Sequence, residues 1–268
     1  MSDFLQQMAT LSAERADAAG QLHAGDLDKR VVPLQLGDFD VIAEIKGRSP
    51  AEGALAGEDL DRIGRAKQYV AGGAAAISVL TEPSRFDGSL QHLAEVAAAV
   101  PDTPVMRKDF LVEPVQVLEA RRAGASGVLL ITAMLSDGKL RAMLDTAFEF
   151  GMFVLLEAFD ENDLARSNAL RENPADHDRA VAGTLLVGVN TRNLRTLEVD
   201  GKRLERLAPL LPNARCVAES GMKTAGDAAA VAGWGYSLAL VGSALMRSND
   251  PGSLVRDMRA AGSARVAA

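Results

Sequence analysis

The residues that could do chemistry in this chain sit at the ends of apolar runs. The stretch from Val41 to Pro50 reads VIAEIKGRSP, with Glu44 and Lys46 two residues apart. On a strand that spacing puts both side chains on one face. A carboxylate and an ammonium in an apolar strand are costly unless they pair or work. For this stretch alone, a buried structural ion pair is the plain alternative. The pattern then recurs downstream. VMRK is followed by Asp109 and Phe110, FVLL by Glu157, and LLVGV by Asn190-Thr191-Arg192-Asn193. CVA runs into Glu219-Ser220-Gly221, and LALV into Gly242-Ser243. Lys46 and Lys108 with Glu44, Glu157 and Glu219 suit general acid–base work. The Gly-containing ends at Ser220-Gly221 and Gly242-Ser243 suit an anion, because glycine lets the backbone approach it closely. Asn190 and Arg192 can hydrogen-bond and clamp a carboxylate. Alternation in VMRKDF places Met106, Lys108 and Phe110 on one face. Arg107 and Asp109 fall on the other, so substitution of Arg107 is expected to be mild unless it supports the loop.

The elements that must position these residues follow from periodicity. Eight short apolar runs read as strands: 41–46, 75–80, 105–108, 127–131, 153–157, 185–189, 216–219 and 238–241. Amphipathic segments near 59–71, 89–100, 114–123, 137–150, 161–171, 201–211, 225–232 and 252–261 read as helices. Ser136 and Asp160 stand where N-caps belong, and Gly72, Gly124 and Gly151 follow helix ends. Near-continuous apolar strands separated by helices imply a parallel sheet buried on both faces. Eight such units suit an α/β fold closed as a (β/α)8 TIM barrel. A doubly wound sheet is the alternative, weakened by the lack of a GxGxxG turn after the first strand. Residues 1–40 read as an N-terminal extension, with Phe4, Leu5, Met8 and Leu11 at helical spacing and an irregular segment after them. The span 173–183 reads as a long charged loop. No internal boundary is visible, so 1–268 reads as one barrel domain.

Bulk properties narrow the classes. The chain has 268 residues and a net charge of −7, which disfavours a nucleic-acid surface. The one cysteine, Cys216, excludes an intramolecular disulfide and a multi-cysteine metal cluster. His23, His92 and His177 are scattered without ligand spacing, so no metal is expected. No run is apolar enough to read as a membrane span or secretory signal. These features point to a cytoplasmic enzyme, acting without nucleic acid or membrane, as a monomer or weak homodimer.

The motifs EIKGRSP, SRFDGS, RKDF, VLLITA, LLEAFDENDL, VGVNTRNL, VAESG and LVGSALMR occur in this order from about residue 41 to 251. As a series they resemble the indole-3-glycerol-phosphate synthase family of barrel enzymes. That resemblance implies ring closure of 1-(2-carboxyphenylamino)-1-deoxyribulose 5-phosphate, with loss of carbon dioxide and water and no need of a cofactor or metal, in tryptophan biosynthesis. It implies Lys108 as general acid on the substrate carbonyl and Lys46 in binding and dehydration, oriented by Glu44. Glu157 matches the family's acid–base carboxylate. Asn190, Arg192, Glu219 and Ser220 match substrate-contacting positions, as does Ser49 in the first loop. Gly221, Gly242 and Ser243 match the phosphate loops. Phe86, Phe110, Leu129, Ile131 and Leu240 match the apolar wall around the aromatic ring. The chain departs from the family at Gly47 and Glu52, where basic residues are common. Two other readings are weaker. A phosphosugar isomerase of the same barrel would want a Cys at the end of the first strand, and Cys216 lies elsewhere. A non-catalytic barrel would have lost a key Lys or Glu.

Overall fold

The computed structural model describes residues 3–20, 22, 27–49, 53–55, 60–170, 172–196 and 198–266. The barrel strands are β1 (Asp40–Ile45), β2 (Ala76–Leu80), β3 (Val105–Lys108) and β4 (Gly127–Ile131). They continue with β5 (Phe153–Ala158), β6 (Leu185–Asn190), β7 (Cys216–Glu219) and β8 (Leu238–Val241). Each pairs in parallel with its neighbours, and β8 returns to β1, so the sheet closes. Every strand residue is buried except Lys108, which is partly exposed. The apolar runs reflect this: one strand face fills the barrel and the other meets the helices.

The helices are α1 (Asp3–Asp17), α2 (Arg62–Ala71), α3 (Pro83–Phe86), α4 (Leu90–Ala99), α5 (Pro114–Ala123) and α6 (Asp137–Glu149). After these come α7 (Glu161–Leu170), α8 (Pro174–Val181), α9 (Arg203–Leu207), α10 (Ala225–Gly233), α11 (Ser243–Arg247) and α12 (Pro251–Val266). The predicted caps are in place. Ser136 accepts from the Lys139 amide, Asp160 from the Asp163 amide, and Gly124 closes α5 at φ 104°.

Several elements differ from expectation. The span read as a loop at 173–183 holds α8, begun by Asn173, whose side chain accepts from the Ala175 amide, with Pro174 in the first turn. The helix expected over 201–211 is a single turn, α9, passing into a 3-10 turn at Ala208–Leu210 that contains Pro209. The last helix runs longer, to Val266. The first strand stops at Ile45, one residue short of Lys46, and a two-residue hairpin follows between Arg48–Ser49 and Gly53–Ala54. Pro50, Glu52, Asp59 and Arg171, which entered the sequence reading, lie outside the described residues.

The leading helix docks on the barrel. Leu5 and Met8 are fully buried, and Phe4 meets Phe110 edge to face at 5.9 Å. Gln116 of α5 donates to Ser12 Oγ at 2.8 Å, and Arg15 reaches Asp109 at 2.8 Å. At the opposite end of the barrel, Asp40 opens β1 and holds Arg259 of α12 at 2.8 Å. That pair ties the last helix to the first strand.

Candidate active site

A cavity of about 1240 Å³ opens at the C-terminal ends of the strands. Every residue singled out as a candidate lines it, with one exception. Those are Glu44, Lys46, Lys108, Glu157, Asn190 and Glu219 at its base, and Arg192, Ser220, Gly221, Gly242 and Ser243 along one side. Phe86, Phe110, Leu129, Ile131 and Leu240 supply an apolar side. The exception is Ser49, whose backbone lies in the small hairpin and whose side chain lies outside the described residues.

Two lysine–carboxylate groups form the base. Lys46 Nζ stands 2.7 Å from Glu44 Oε1. Lys108 Nζ stands 3.3 Å from Glu157 Oε2 and 3.5 Å from Glu219 Oε2. Asn190 Nδ2 donates to the other Glu157 oxygen at 3.2 Å, and its Oδ1 accepts from the Arg192 amide at 2.9 Å. Asn190 is therefore a strut between Glu157 and the Arg192 turn, rather than a free half of a clamp.

Two cations face three carboxylates here, and burial decides how the charge settles. Burial would lower the Lys108 pKa, but Glu157, Glu219 and Glu44 outweigh it and hold Lys108 as an ammonium. Burial would raise Glu44, but Lys46 and Lys108 outweigh it and keep that carboxyl below its usual range. Glu219 goes the other way. Burial, reinforced by the charge on Glu157, lifts its carboxyl well above the ordinary value despite Lys108.

The two glycine-containing loops differ in what they require of the backbone. Ser220 has φ 66° and Gly221 φ 87°, two left-handed residues in succession. Gly242 precedes α11, and a Cβ there would overlap Glu44 Oε1 and stand 2.9 Å from Lys46 Nζ. Any side chain at 242 would therefore disturb the Glu44–Lys46 pair before it met a ligand.

On β3 the alternation holds, and Arg107 meets the exception stated for it, a residue that supports the loop. It is buried on the outer face, donating to Thr81 Oγ1 at 3.1 Å and to the Gln116 carbonyl at 2.8 Å, and pairing with Asp109 and Glu119. Asp109 also accepts from Thr81 Oγ1 and from the Phe110 amide. This network holds the turn that carries Lys108 and Phe110.

Sequence reasoning missed several lining residues. Phe4 closes the apolar side from α1; its spacing marked it as helical but not as part of the site. Lys223 lies two residues past Gly221 and could have been found by that position. Arg247 comes from α11, a helix whose five residues are too few for a periodic signal.

Comparison with known proteins agrees with this arrangement. The family model for indole-3-glycerol phosphate synthase matches residues 27–258. An indole-3-glycerol phosphate synthase of Nocardioides sp. is 49% identical over 219 residues, 81% of this chain and 79% of that protein. One from Mycobacterium avium is 42% identical over 262 residues, 97% of this chain and 91% of that protein. Among solved structures, 3-hexulose-6-phosphate synthase from Salmonella typhimurium superposes with a TM-score of 0.63 at 16% identity. That match covers 85% of this chain and all of the other. Phosphoribosylanthranilate isomerase from Thermotoga maritima gives a TM-score of 0.55 at 12% identity, covering 84% and 99%. The structural matches speak for the barrel alone. The sequence matches span nearly all of it, and the chain belongs to the indole-3-glycerol phosphate synthase family of carboxy-lyases.

Proposed function

We propose that the cavity closes the indole ring of 1-(2-carboxyphenylamino)-1-deoxyribulose 5-phosphate, using Lys108, Lys46 and Glu157 for proton transfer. One observation carries the reading. A partly buried ammonium, Lys108, stands between two carboxyls at the junction of an apolar wall and two glycine-containing loops. The aromatic ring packs against Phe110, Leu129 and Ile131. The phosphate lies against the backbone of Ser220–Gly221 and Gly242–Ser243, where the first N–H groups of a helix have no partner within it. Arg192 supplies a cation beside the anionic groups.

In that pose the ring carbon bearing the carboxylate attacks the ketone carbon. Lys108 gives its proton to the ketone oxygen as the new carbon–carbon bond forms. The bond to the carboxylate then breaks, its electrons return to the ring and carbon dioxide leaves. The new hydroxyl departs as water with help from Lys46. The proton lost from the carbon beside nitrogen passes to Glu157, and the indole is complete. Apolar walls favour the step that discharges a carboxylate, because they solvate the anion poorly.

The test is direct. Purified protein mixed with this substrate should develop indole fluorescence and release one carbon dioxide per turnover. Absence of both, with folded protein and authentic substrate, rules the reading out.

A further inference from the structure

The barrel interior is filled layer by layer with inward side chains, and two inward strand positions, Gly127 and Gly188, have none; the Phe153 ring covers the first. Glu157 of β5, Gly188 of β6 and Val217 of β7 stand in register across three neighbouring strands. Gly188 offers only hydrogen at the middle place. Close-packed interiors do not leave such gaps open. Here the gap is taken by a side chain from the next layer up. Glu219 pairs in register with Asn190, one layer nearer the mouth, yet its carboxyl folds back over Gly188. A Cβ built on Gly188 would overlap Glu219 Oε1 and stand 3.1 Å from its Cδ, with Leu155 Cδ1 at 3.0 Å on the other side. Glycine inside a strand commonly marks such a close approach. Within this slot, Glu219 Oε2 reaches Lys108 while Oε1 is buried with no hydrogen-bond partner among the described residues.

We propose that Gly188 is a positioning residue of the active site: its missing Cβ forms the slot that seats Glu219 Oε1 and so aims Oε2 at Lys108. A methyl group at 188 has nowhere to go without moving that carboxyl, since Leu155 blocks the other side. Displaced by an ångström, Glu219 loses its distance to Lys108 and crowds Glu157. Lys108 then no longer meets the substrate carbonyl squarely. The effect belongs to the chemical step, because Gly188 lies beneath the site and touches neither the phosphate loops nor the aromatic wall.

This inference rests on the reaction assigned above for its kinetic arm, but its first arm is independent of any activity. Gly188→Ala should lower the melting temperature, and adding Glu219→Ala should restore most of that loss by vacating the slot. A double variant no more stable than Gly188→Ala overturns the proposal, because the clash would then lie elsewhere. In steady-state kinetics, Gly188→Ala should reduce kcat by roughly tenfold to a hundredfold with KM little changed, as misplacement by about 1 Å does. The shorter carboxylate is the rescue. Glu219→Asp should cost activity when residue 188 is glycine and recover it when residue 188 is alanine. Equal losses in both backgrounds, or a Gly188→Ala enzyme with parental kcat, overturn it. If the parent itself fails to turn over, the reaction assignment falls while the melting arm still decides the slot.

Discussion

Two charged clusters lie on opposite faces of the same strand end, and they are built to different rules. Outside β3, Arg107 and Asp109 are sealed beneath α1 and α5 with Thr81, Glu119, Gln116 and Arg15 as partners. That cluster is a strut: its charges are paired with one another and with hydrogen-bonding neighbours at 2.8–3.3 Å. Inside, Lys108 faces two carboxyls at 3.3 and 3.5 Å, Glu219 Oε1 has no hydrogen-bond partner among the described residues, and an open cavity lies above. Residues adjacent in sequence and alike in charge have thus been given opposite tasks. Burial alone does not distinguish them, because both clusters are buried. What distinguishes them is whether the polar groups are used up by the protein.

Substitutions can break that contrast. Lys108→Met should lower kcat by roughly 10²–10⁴-fold, the usual cost of losing a placed proton donor. Urea unfolding should show a smaller stability change than for Arg107. A Lys108→Met enzyme with near-parental kcat would put the working face of β3 in the wrong place. Arg107→Met should do the reverse. Removing one partner of a buried charge network costs about 3–5 kcal/mol, while the folded fraction keeps its kcat. If instead Arg107→Met leaves urea stability intact and abolishes turnover, the strut and the site have been exchanged.

A third variant, Arg192→Ala, should raise KM by roughly tenfold or more with a lesser effect on kcat, from loss of a charge-assisted contact to an anion. Parental KM would remove Arg192 from the ligand side.

The pH dependence of stability sharpens the same comparison. Glu219 holds its proton more tightly folded than unfolded, where its ordinary value is 4.5. Above that value the folded state therefore binds more protons, and this group's contribution to stability falls as pH rises. Glu44, held below 4.5 by Lys46 and Lys108 against its burial, contributes stability that is present above 4.5 and lost as pH falls. Glu219→Gln removes only the first effect. Relative to the parent, its urea midpoint should improve as pH is raised from about 5 to 8. Parallel curves would mean that Glu219 is ionised in the folded protein. The smallest expected effect is that of a chelator. Among the described residues no group of His, Cys, Asp and Glu is arranged to hold a metal ion, and turnover should persist in EDTA. Loss of activity restored by a divalent cation would overturn that expectation.

Much of this was legible in the chain itself. All eight barrel strands and most helices followed from apolar runs and caps, because parallel strands buried on both faces leave an unmistakable mark. The polar strand ends marked one end of the barrel as the site before any distance was known. Legibility failed where elements are short or where composition misleads. The charged span at 173–183 hid α8, although Asn173 and Pro174 were its start signal. The four- and five-residue helices α3, α9 and α11 have too few turns to show a period.

Residue types and strand alternation were enough to favour a closed parallel barrel over a doubly wound sheet, to put Lys108 and Phe110 on one strand face and to name the groups at the strand ends. Only the folded chain decided how those groups share their charge. Alternation says which way a side chain points, but not which neighbour across the barrel it meets. Lys108 meets Glu219 across 111 residues of sequence, a contact fixed by barrel closure and register. The same closure lays Glu219 over Gly188 and sets Arg107 beneath α1. It thereby leaves one charge facing an open cavity and encloses its neighbour in a strut, a distinction that depends on three-dimensional packing and not on residue type.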